Sequence, residues 1–281
     1  KMAPDDNIQL ILHGQGVDGA TTITDSSTDT HSHSGNTDVE LDTAQSTLSQ
    51  ASSILFNGSS SYLTYSDAPW QDVAADSAFV IHTWVRFNGT PDAGVIIGAA
   101  SAGGYRLLYY PAAGGTWQFA YDTGYSGNYV VADTGVPADT WFHLAVVRQV
   151  DGTFRIFRDG VQKGSDTSFT VALEPAGVLI GRNYAAEYYF DGWLQEVTLI
   201  TGSNNGWSGT SFTPPTAPTP GLAEMWAADE AGNETKISPH NAAGEWEDYS
   251  KSPKGEVTRI NMEEVVRDLG ELTGKDYIKD K

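Results

Sequence analysis

Tyrosines and asparagines in two stretches of the chain have the side-chain chemistry that suits a sugar ligand. The apolar C–H face of a sugar ring packs on aromatic rings, and its hydroxyl groups exchange hydrogen bonds with amides. Alternation along the predicted strands assigns about half of the aromatic residues to the core, which leaves those in loops as surface candidates. The predicted ligand-binding residues are Tyr125, Asn128, Asn183, Tyr184 and Tyr188. Ordinary packing or subunit contacts explain these tyrosines equally well.

Residue patterns that carry catalysis are absent from the sequence. The chain contains no cysteine, so thiol chemistry and disulfides are excluded. It also has no Gly-x-Ser-x-Gly elbow, no HExxH zinc motif and no phosphate-binding P-loop. The sequence therefore predicts a protein that is not an enzyme.

The elements that must position the tyrosines are strands. In the stretch TWFHLAVVRQVDGTFRIFRDG, residues 140–160, Phe142, Leu144 and Val146 alternate with His143 and its neighbours. Such period-2 alternation predicts strands with one buried face, and the Asp-Gly pair at its end predicts a hairpin turn. More than ten similar segments, separated by Gly, Asp, Asn and Ser, predict a β-sandwich or jelly roll over residues 1–212.

The rest of the chain divides at a proline-rich segment. Residues 213–220, TPPTAPTP, predict an extended, semi-rigid linker. Residues 221–281 predict a small α+β unit, with short strands followed by a helix that starts at Asn261 and stops before Gly274. The apolar face of that helix needs a packing partner, either the preceding strands or the same helix in a second copy. A homo-oligomer is therefore one expectation for this chain.

The charge of the chain limits its partners. The sequence has 36 acidic and 16 basic residues in 281, a formal net charge of −20. Nucleic acid and anionic membranes repel such a chain, so neither is a predicted partner. No stretch approaches the roughly 18 apolar residues that span a bilayer, so membrane insertion is not predicted either.

Several segments, in the right order, resemble laminin G-like domains of the concanavalin A-like jelly-roll type. Beside residues 140–160 they are LILHGQGVDGATTITDSS (10–27), SSILFNGSSSYLTYSD (52–67), FVIHTWVRFN (79–88) and LIGRNYAAEYYFDGWLQEVTLITG (179–202). The segment SFTPPTAP (211–218) is similar to the tail that follows such domains in phage structural proteins. The resemblance implies a mainly β, concanavalin A-like sandwich over about residues 8–218. It also implies an extracellular or virion-surface location, with a glycan or other surface subunits as partners.

The resemblance also implies a possible structural calcium site. If the first loop lies beside the last strand, as in related jelly rolls, Asp18, Asp25 and Glu196 converge and offer the oxygen ligands that calcium takes. The family often has Asp-Glu near that strand, whereas this chain has Gln195-Glu196, so one expected carboxylate is missing. The alternative is that Asp18 and Asp25 have a structural role only, as turn and cap residues.

Three functions remain open at this point. The leading hypothesis is a non-enzymatic adhesion or carbohydrate-recognition module of a virion or extracellular structural protein. The first alternative is a purely structural assembly module, with aromatic residues at subunit interfaces. The second is a glycoside hydrolase. Laminarinase-type enzymes share the implied fold, but their paired carboxylates on one strand are missing here, where Glu196 is the only candidate.

Overall fold

A computed structural model describes residues 7–27, 31–33, 36–66, 74, 77–100, 105–110, 115–121, 128–132, 135–168, 177–219, 225–228, 234–238, 247–251 and 257–258. Every regular element in these ranges is a strand. The chain divides into two compact units, residues 1–220 and residues 221–281.

The first unit is a sandwich of two antiparallel sheets. The larger sheet has the order β13-β12-β11-β6-β15-β4-β3, with β1 also paired to β15. The smaller sheet has the order β10-β9-β8-β7-β14-β5-β2. The strands are β1 (Ile8–Leu12), β2 (Asn36–Thr37), β3 (Glu40–Asp42), β4 (Ser53–Asn57), β5 (Tyr62–Tyr65), β6 (Phe79–Phe87), β7 (Gly94–Ala99), β8 (Tyr105–Tyr110), β9 (Thr116–Tyr121), β10 (Asn128–Ala132), β11 (Phe142–Arg148), β12 (Thr153–Arg158), β13 (Val161–Ser168), β14 (Val178–Ile180) and β15 (Asp191–Thr201).

The second unit contains one four-stranded antiparallel sheet in chain order. Its strands are β16 (Met225–Ala228), β17 (Glu234–Ser238), β18 (Glu247–Lys251) and β19 (Val257–Thr258). The helix predicted from Asn261 onwards lies outside the described residues.

The core lies between the two sheets and is built by alternation. Phe142, Leu144 and Val146 of β11 pack into it, as the sequence predicts. The hairpin turn between β12 and β13 is also confirmed, with φ of 51° at Asp159 and 72° at Gly160. Both angles fall in the left-handed region that this turn type requires.

The prediction of a single buried face for β11 is wrong. All seven residues of β11 are buried, because residues 202–219 cross the outer face of the larger sheet and cover it. Trp207 and Phe212 stack with ring centroids 3.9 Å apart and pack on Val80, Val147 and Phe157. Alternation cannot report this cover, since it comes from a distant part of the chain.

The longest strand, β15, is where the larger sheet changes partner. Its first part, Asp191 to Leu194, pairs with β4, and its last part, Val197 to Ile200, pairs with β1. Gln195 and Glu196 lie at the junction, where the pairing with β6 is also interrupted by a bulge. Glu196 has φ of 55°, so the backbone turns locally and aims its side chain into the gap between β1 and β4.

Candidate functional site

The loop that joins β14 to β15, residues 181–190, is fixed against β7. The Gly181 N–H donates to the Ile96 carbonyl at 3.1 Å, and the Val95 N–H donates to the Tyr188 carbonyl at 2.9 Å. The Phe190 N–H closes the loop on the Gly181 carbonyl at 2.8 Å. These backbone bonds hold both ends of the loop, so the side chains between them are presented from a rigid base.

Asn183 organises the inside of this loop. Its side chain is only 2% exposed, and its Oδ1 accepts a hydrogen bond from the Glu187 N–H at 2.7 Å. Its backbone N–H also donates to the Glu187 carbonyl at 3.1 Å. The structure therefore places this predicted ligand residue beneath the loop, where it positions its neighbours. Tyr184, next to it, is 42% exposed.

Tyrosines of the loop and of two strands make two groups of ring contacts, which we name together, with the exposed Tyr184, the tyrosine–arginine surface. The Arg182 guanidinium carbon lies 3.7 Å from the centre of the Tyr62 ring and 5.9 Å from that of Tyr189. Tyr188 meets Tyr110 edge to face, with centroids 6.2 Å apart. The members of the surface are Tyr62, Tyr110, Arg182, Tyr184, Tyr188 and Tyr189. Apart from the exposed Tyr184, all are half-buried.

The two predicted groups of sugar-binding residues are not brought together. Tyr188 packs against Tyr110 at the end of β8. Asn128 is paired with Tyr121, which is paired with Tyr105 at the start of β8. Five residues of strand, about 17 Å, separate those positions. The side chain of Asn128 and all of Tyr125 lie outside what the structure describes.

Sequence reasoning missed Arg182 and Tyr62. Arg182 directly precedes the predicted Asn183, and Tyr62 alternates with the core residues Leu63 and Tyr65, which assigns it to the outer face of the sheet. That alternation was a usable signal for Tyr62. The contact itself joins residues 120 positions apart, so only the pairing of β5 with β14 reveals it.

The predicted calcium ligands Asp18 and Asp25 each have their own hydrogen-bond partners. The exposed Asp18 accepts bonds from the N–H and hydroxyl of Thr43, which lower its pKa. Asp25 is buried, and its two oxygens accept four bonds, from Ile11 N–H, His31 N–H and the N–H and hydroxyl of Ser27. Asp18 thus holds a loop, and Asp25 fastens the first loop to β1.

Glu196 is saturated in the same way. It is 1% exposed, and its Oε1 lies 2.6 Å from both His13 Nδ1 and Gln50 Nε2. Its Oε2 accepts a bond from the Thr219 N–H at 2.8 Å. Because the Phe212 N–H is bonded to the Gly160 carbonyl at 2.8 Å, residues 213–219 are held at both ends on the larger sheet.

The described strands place Asp25 and Glu196 on opposite sides of β1. Asp25 bridges to Leu12 on one edge of β1, and Glu196 belongs to the strand on the other edge, two strand spacings or about 10 Å away. Within the described residues, no group of three or more His, Asp or Glu side chains is arranged to hold a metal ion. Calcium binding itself stays a prediction from the resemblance.

Replacing Glu196 by glutamine is expected to release the segment 213–219. A glutamine amide must point its NH₂ either at the Thr219 N–H or at the donors of His13 and Gln50, so one buried contact becomes donor against donor. The expected loss is about 2–3 kcal/mol of unfolding free energy. Limited proteolysis should then cut within residues 213–219 faster than in the wild type. Asp18→Asn, a carboxylate change at an exposed position, is the control and should leave the cleavage rate unchanged. Equal cleavage of Glu196→Gln and the wild type would contradict this role.

The two facing antiparallel sheets define a concanavalin A-like β-sandwich jelly roll. The family model of the laminin G type 3 domain, described as the concanavalin A-like lectin/glucanases superfamily, matches residues 57–205. That is more than half of the 281 residues, and the chain belongs to this family. No curated protein gives a significant match to the sequence.

Solved structures with the same fold include receptor-binding parts of toxins. The botulinum neurotoxin serotype G binding domain aligns with a TM-score of 0.56 at 13% identity, over 90% of this chain and 65% of that one. The binding domain of Paraclostridial Mosquitocidal Protein 1 aligns with 0.55 at 11% identity, over 92% and 68%. The botulinum serotype D ligand binding domain, in complex with N-acetylneuraminic acid, gives 0.53 at 13%, over 91% and 68%. This chain thus spans slightly less than two thirds of the first of these proteins, and at such identities the likeness shows the fold alone.

In the part of the chain that the structure describes, no helix has the length and apolar character needed to cross a membrane.

Proposed function

We propose that this protein is a non-enzymatic carbohydrate-binding module that recognises its ligand at the tyrosine–arginine surface. The observation that carries the proposal is the placement of five tyrosines and one arginine on a fixed loop and its two neighbouring strands. Aromatic rings that are held in place offer stacking faces at little entropic cost on binding. Half-buried tyrosines also keep their hydroxyl groups available for the hydroxyls of a sugar.

The neighbours by fold are consistent with a binding role. The titles of the toxin structures describe binding domains, and one holds a sugar, N-acetylneuraminic acid. The superfamily also contains glucanases, so the fold does not decide between binding and hydrolysis. The state of Glu196 supports the non-enzymatic reading. A general acid or nucleophile must reach the substrate, whereas both Glu196 oxygens are occupied by buried partners.

The same proposal extends to location and partners. We infer an extracellular or virion-surface protein whose partner is a cell-surface glycan, because the sequence resembles modules of such proteins. Assembly with other surface subunits and homo-oligomer formation stay predictions, to be read from the mass of the intact chain in solution.

Truncating either Tyr184 or Tyr188 to alanine is expected to weaken glycan binding about 10-fold, because stacking on each ring contributes roughly 1–2 kcal/mol of binding free energy. A glycan array first identifies a ligand, and isothermal titration calorimetry then gives the dissociation constants. Tyr184→Ala is the cleaner variant, because that side chain is already 42% exposed and contributes little to the core.

Val150→Ala is the matched control for these truncations. Val150 is exposed and lies in the turn between β11 and β12, two strands of the larger sheet. It should bind as the wild type does. An array without any binder, or wild-type affinity in both tyrosine variants, would overturn the proposed function.

A further inference from the structure

Arg182 has no polar partner among the described residues, in contrast to Arg86, Arg148 and Arg155. Among the described residues it makes no hydrogen bond or ion pair, and its Nε is buried without an acceptor. Arg155 pairs with Asp166 at 2.7 Å, Arg86 with Gln45 and Asp139, and Arg148 with backbone carbonyls. Because no carboxylate among the described residues pairs with Arg182, its N–H groups can serve a ligand.

The orientation of Arg182 is set by its aromatic neighbours. Stacking at 3.7 Å on Tyr62 satisfies the flat face of the guanidinium but none of its N–H groups, which point outward in the plane. A guanidinium held in this way is prepared for the planar, two-bond recognition of a carboxylate. A neutral hydroxyl accepts only a single, weaker hydrogen bond at the same place.

We propose that the ligand is an acidic sugar, whose carboxylate binds the Arg182 guanidinium while its ring packs on the neighbouring tyrosines. This inference rests on the proposed function and narrows its ligand to one chemical class. The carboxylate belongs either to a uronic acid or to a sialic acid, which share the same chemistry at Arg182.

The net charge of −20 is compatible with an anionic ligand at this position. Charges on the rest of the chain are screened beyond about 8 Å at physiological salt, whereas a direct guanidinium–carboxylate contact is not. The nearest acid of the same loop, Glu187, has one oxygen 3.4 Å from Asn183 Nδ2 and lies on the Asn183 side of the loop. Glu187 therefore makes no ion pair with Arg182.

The test compares each acidic probe with its neutral counterpart by calorimetry. The pairs are 3′-sialyllactose with lactose, and trigalacturonic acid with its fully methyl-esterified form. We expect at least one acidic probe to bind 10-fold or more tightly than its counterpart. Arg182→Gln should remove that difference, because the acidic probe should lose about 10-fold more affinity than its neutral counterpart. Arg182→Lys keeps the positive charge but loses the two parallel N–H donors of the guanidinium. It should retain part of the preference for the acidic probe.

Two results would overturn the inference while leaving the proposed function intact. One is equal affinity of acidic and neutral probes, or a ligand found only among neutral glycans. The other is an equal loss of both affinities in Arg182→Gln, which identifies the arginine as structural. Failure of the proposed function gives a different result: either no glycan binds, or a glycan binds with an affinity that Tyr184→Ala does not change.

Discussion

Replacing Gln195 by glutamate is expected to lower the free energy of unfolding by about 3–5 kcal/mol, although the two side chains have the same shape. Gln195 is fully buried at the junction in β15. Its Oε1 accepts a bond from the Thr47 N–H at 2.8 Å, and its Nε2 donates to the Ser52 carbonyl at 2.7 Å. A glutamate keeps the bond from the Thr47 N–H. Its second carboxylate oxygen then faces the Ser52 carbonyl oxygen without a proton between them, and a negative charge is buried. Chemical denaturation at pH 7 measures the loss.

The pH dependence of the stability of Gln195→Glu shows how much of the loss comes from protonation-dependent effects, namely the buried charge and the missing N–H donor. Burial raises the pKa of the introduced carboxyl, so the deficit relative to the wild type should shrink as the pH falls and the proton restores the donor. Gln118→Glu is the control, since Gln118 is half-buried and makes one long bond, 3.4 Å to the Thr116 hydroxyl. Its effect should be much smaller. A Gln195→Glu protein as stable as the wild type would show that the Ser52 contact is not needed.

Mild acid is expected to destabilise the sandwich through two buried histidines on the outer face of the larger sheet. His82 Nδ1 lies 3.3 Å from His143 Nε2, and Trp207 covers both rings. Burial lowers the pKa of His82 to about 4, with Glu196 opposing the shift. Burial and then the proximity of His82 hold the pKa of His143 well below its usual range.

The sign follows from comparing proton binding in the two states. Above about pH 6.5 both histidines are neutral in the folded and in the unfolded chain, so they contribute no pH dependence to the free energy of unfolding. Between about 6.5 and 4 the unfolded chain takes up protons that the folded chain refuses, so stability falls as the pH falls. At about 1.4 kcal/mol per pH unit, His82 alone accounts for about 3 kcal/mol over that interval.

Urea titrations of the wild type at pH 7, 5.5 and 4.5 measure this loss. The double variant His82→Gln, His143→Gln should lose most of the slope, whatever its stability at pH 7. Some slope should remain from His33, whose pKa burial also lowers. An unchanged slope in the double variant would assign the acid sensitivity to other groups.

The local features of the fold were predictable from the sequence, and the ones that depend on strand order were not. The turn at Asp159-Gly160 and the core face of β11 follow from neighbouring residues, so alternation and turn chemistry are sufficient to find them. The cover over His143 comes from Trp207 and Phe212, more than sixty positions away.

The candidate site divides in the same way. The exposure of Tyr184 and the partial exposure of Tyr188 were predictable, because tyrosines in loops between strands commonly lie at the surface. Arg182 becomes a candidate binding residue only through its contact with Tyr62, and the pairing of β5 with β14 brings these two residues together. The position of β1 between Asp25 and Glu196 also depends on strand order, and the role of Asp18, Asp25 and Glu196 as calcium ligands stays a prediction.

The hydrogen bond from Thr219 to Glu196 also decides where a mechanical load would enter the sandwich. Tension applied from the carboxyl-terminal side of the chain reaches residue 219 first and is passed to the side chain of a strand that is paired on both edges. That contact must break before a pull from this side can lift residues 213–218 off the sheet, so the hydrogen bond at residue 219 resists peeling of the outer segment.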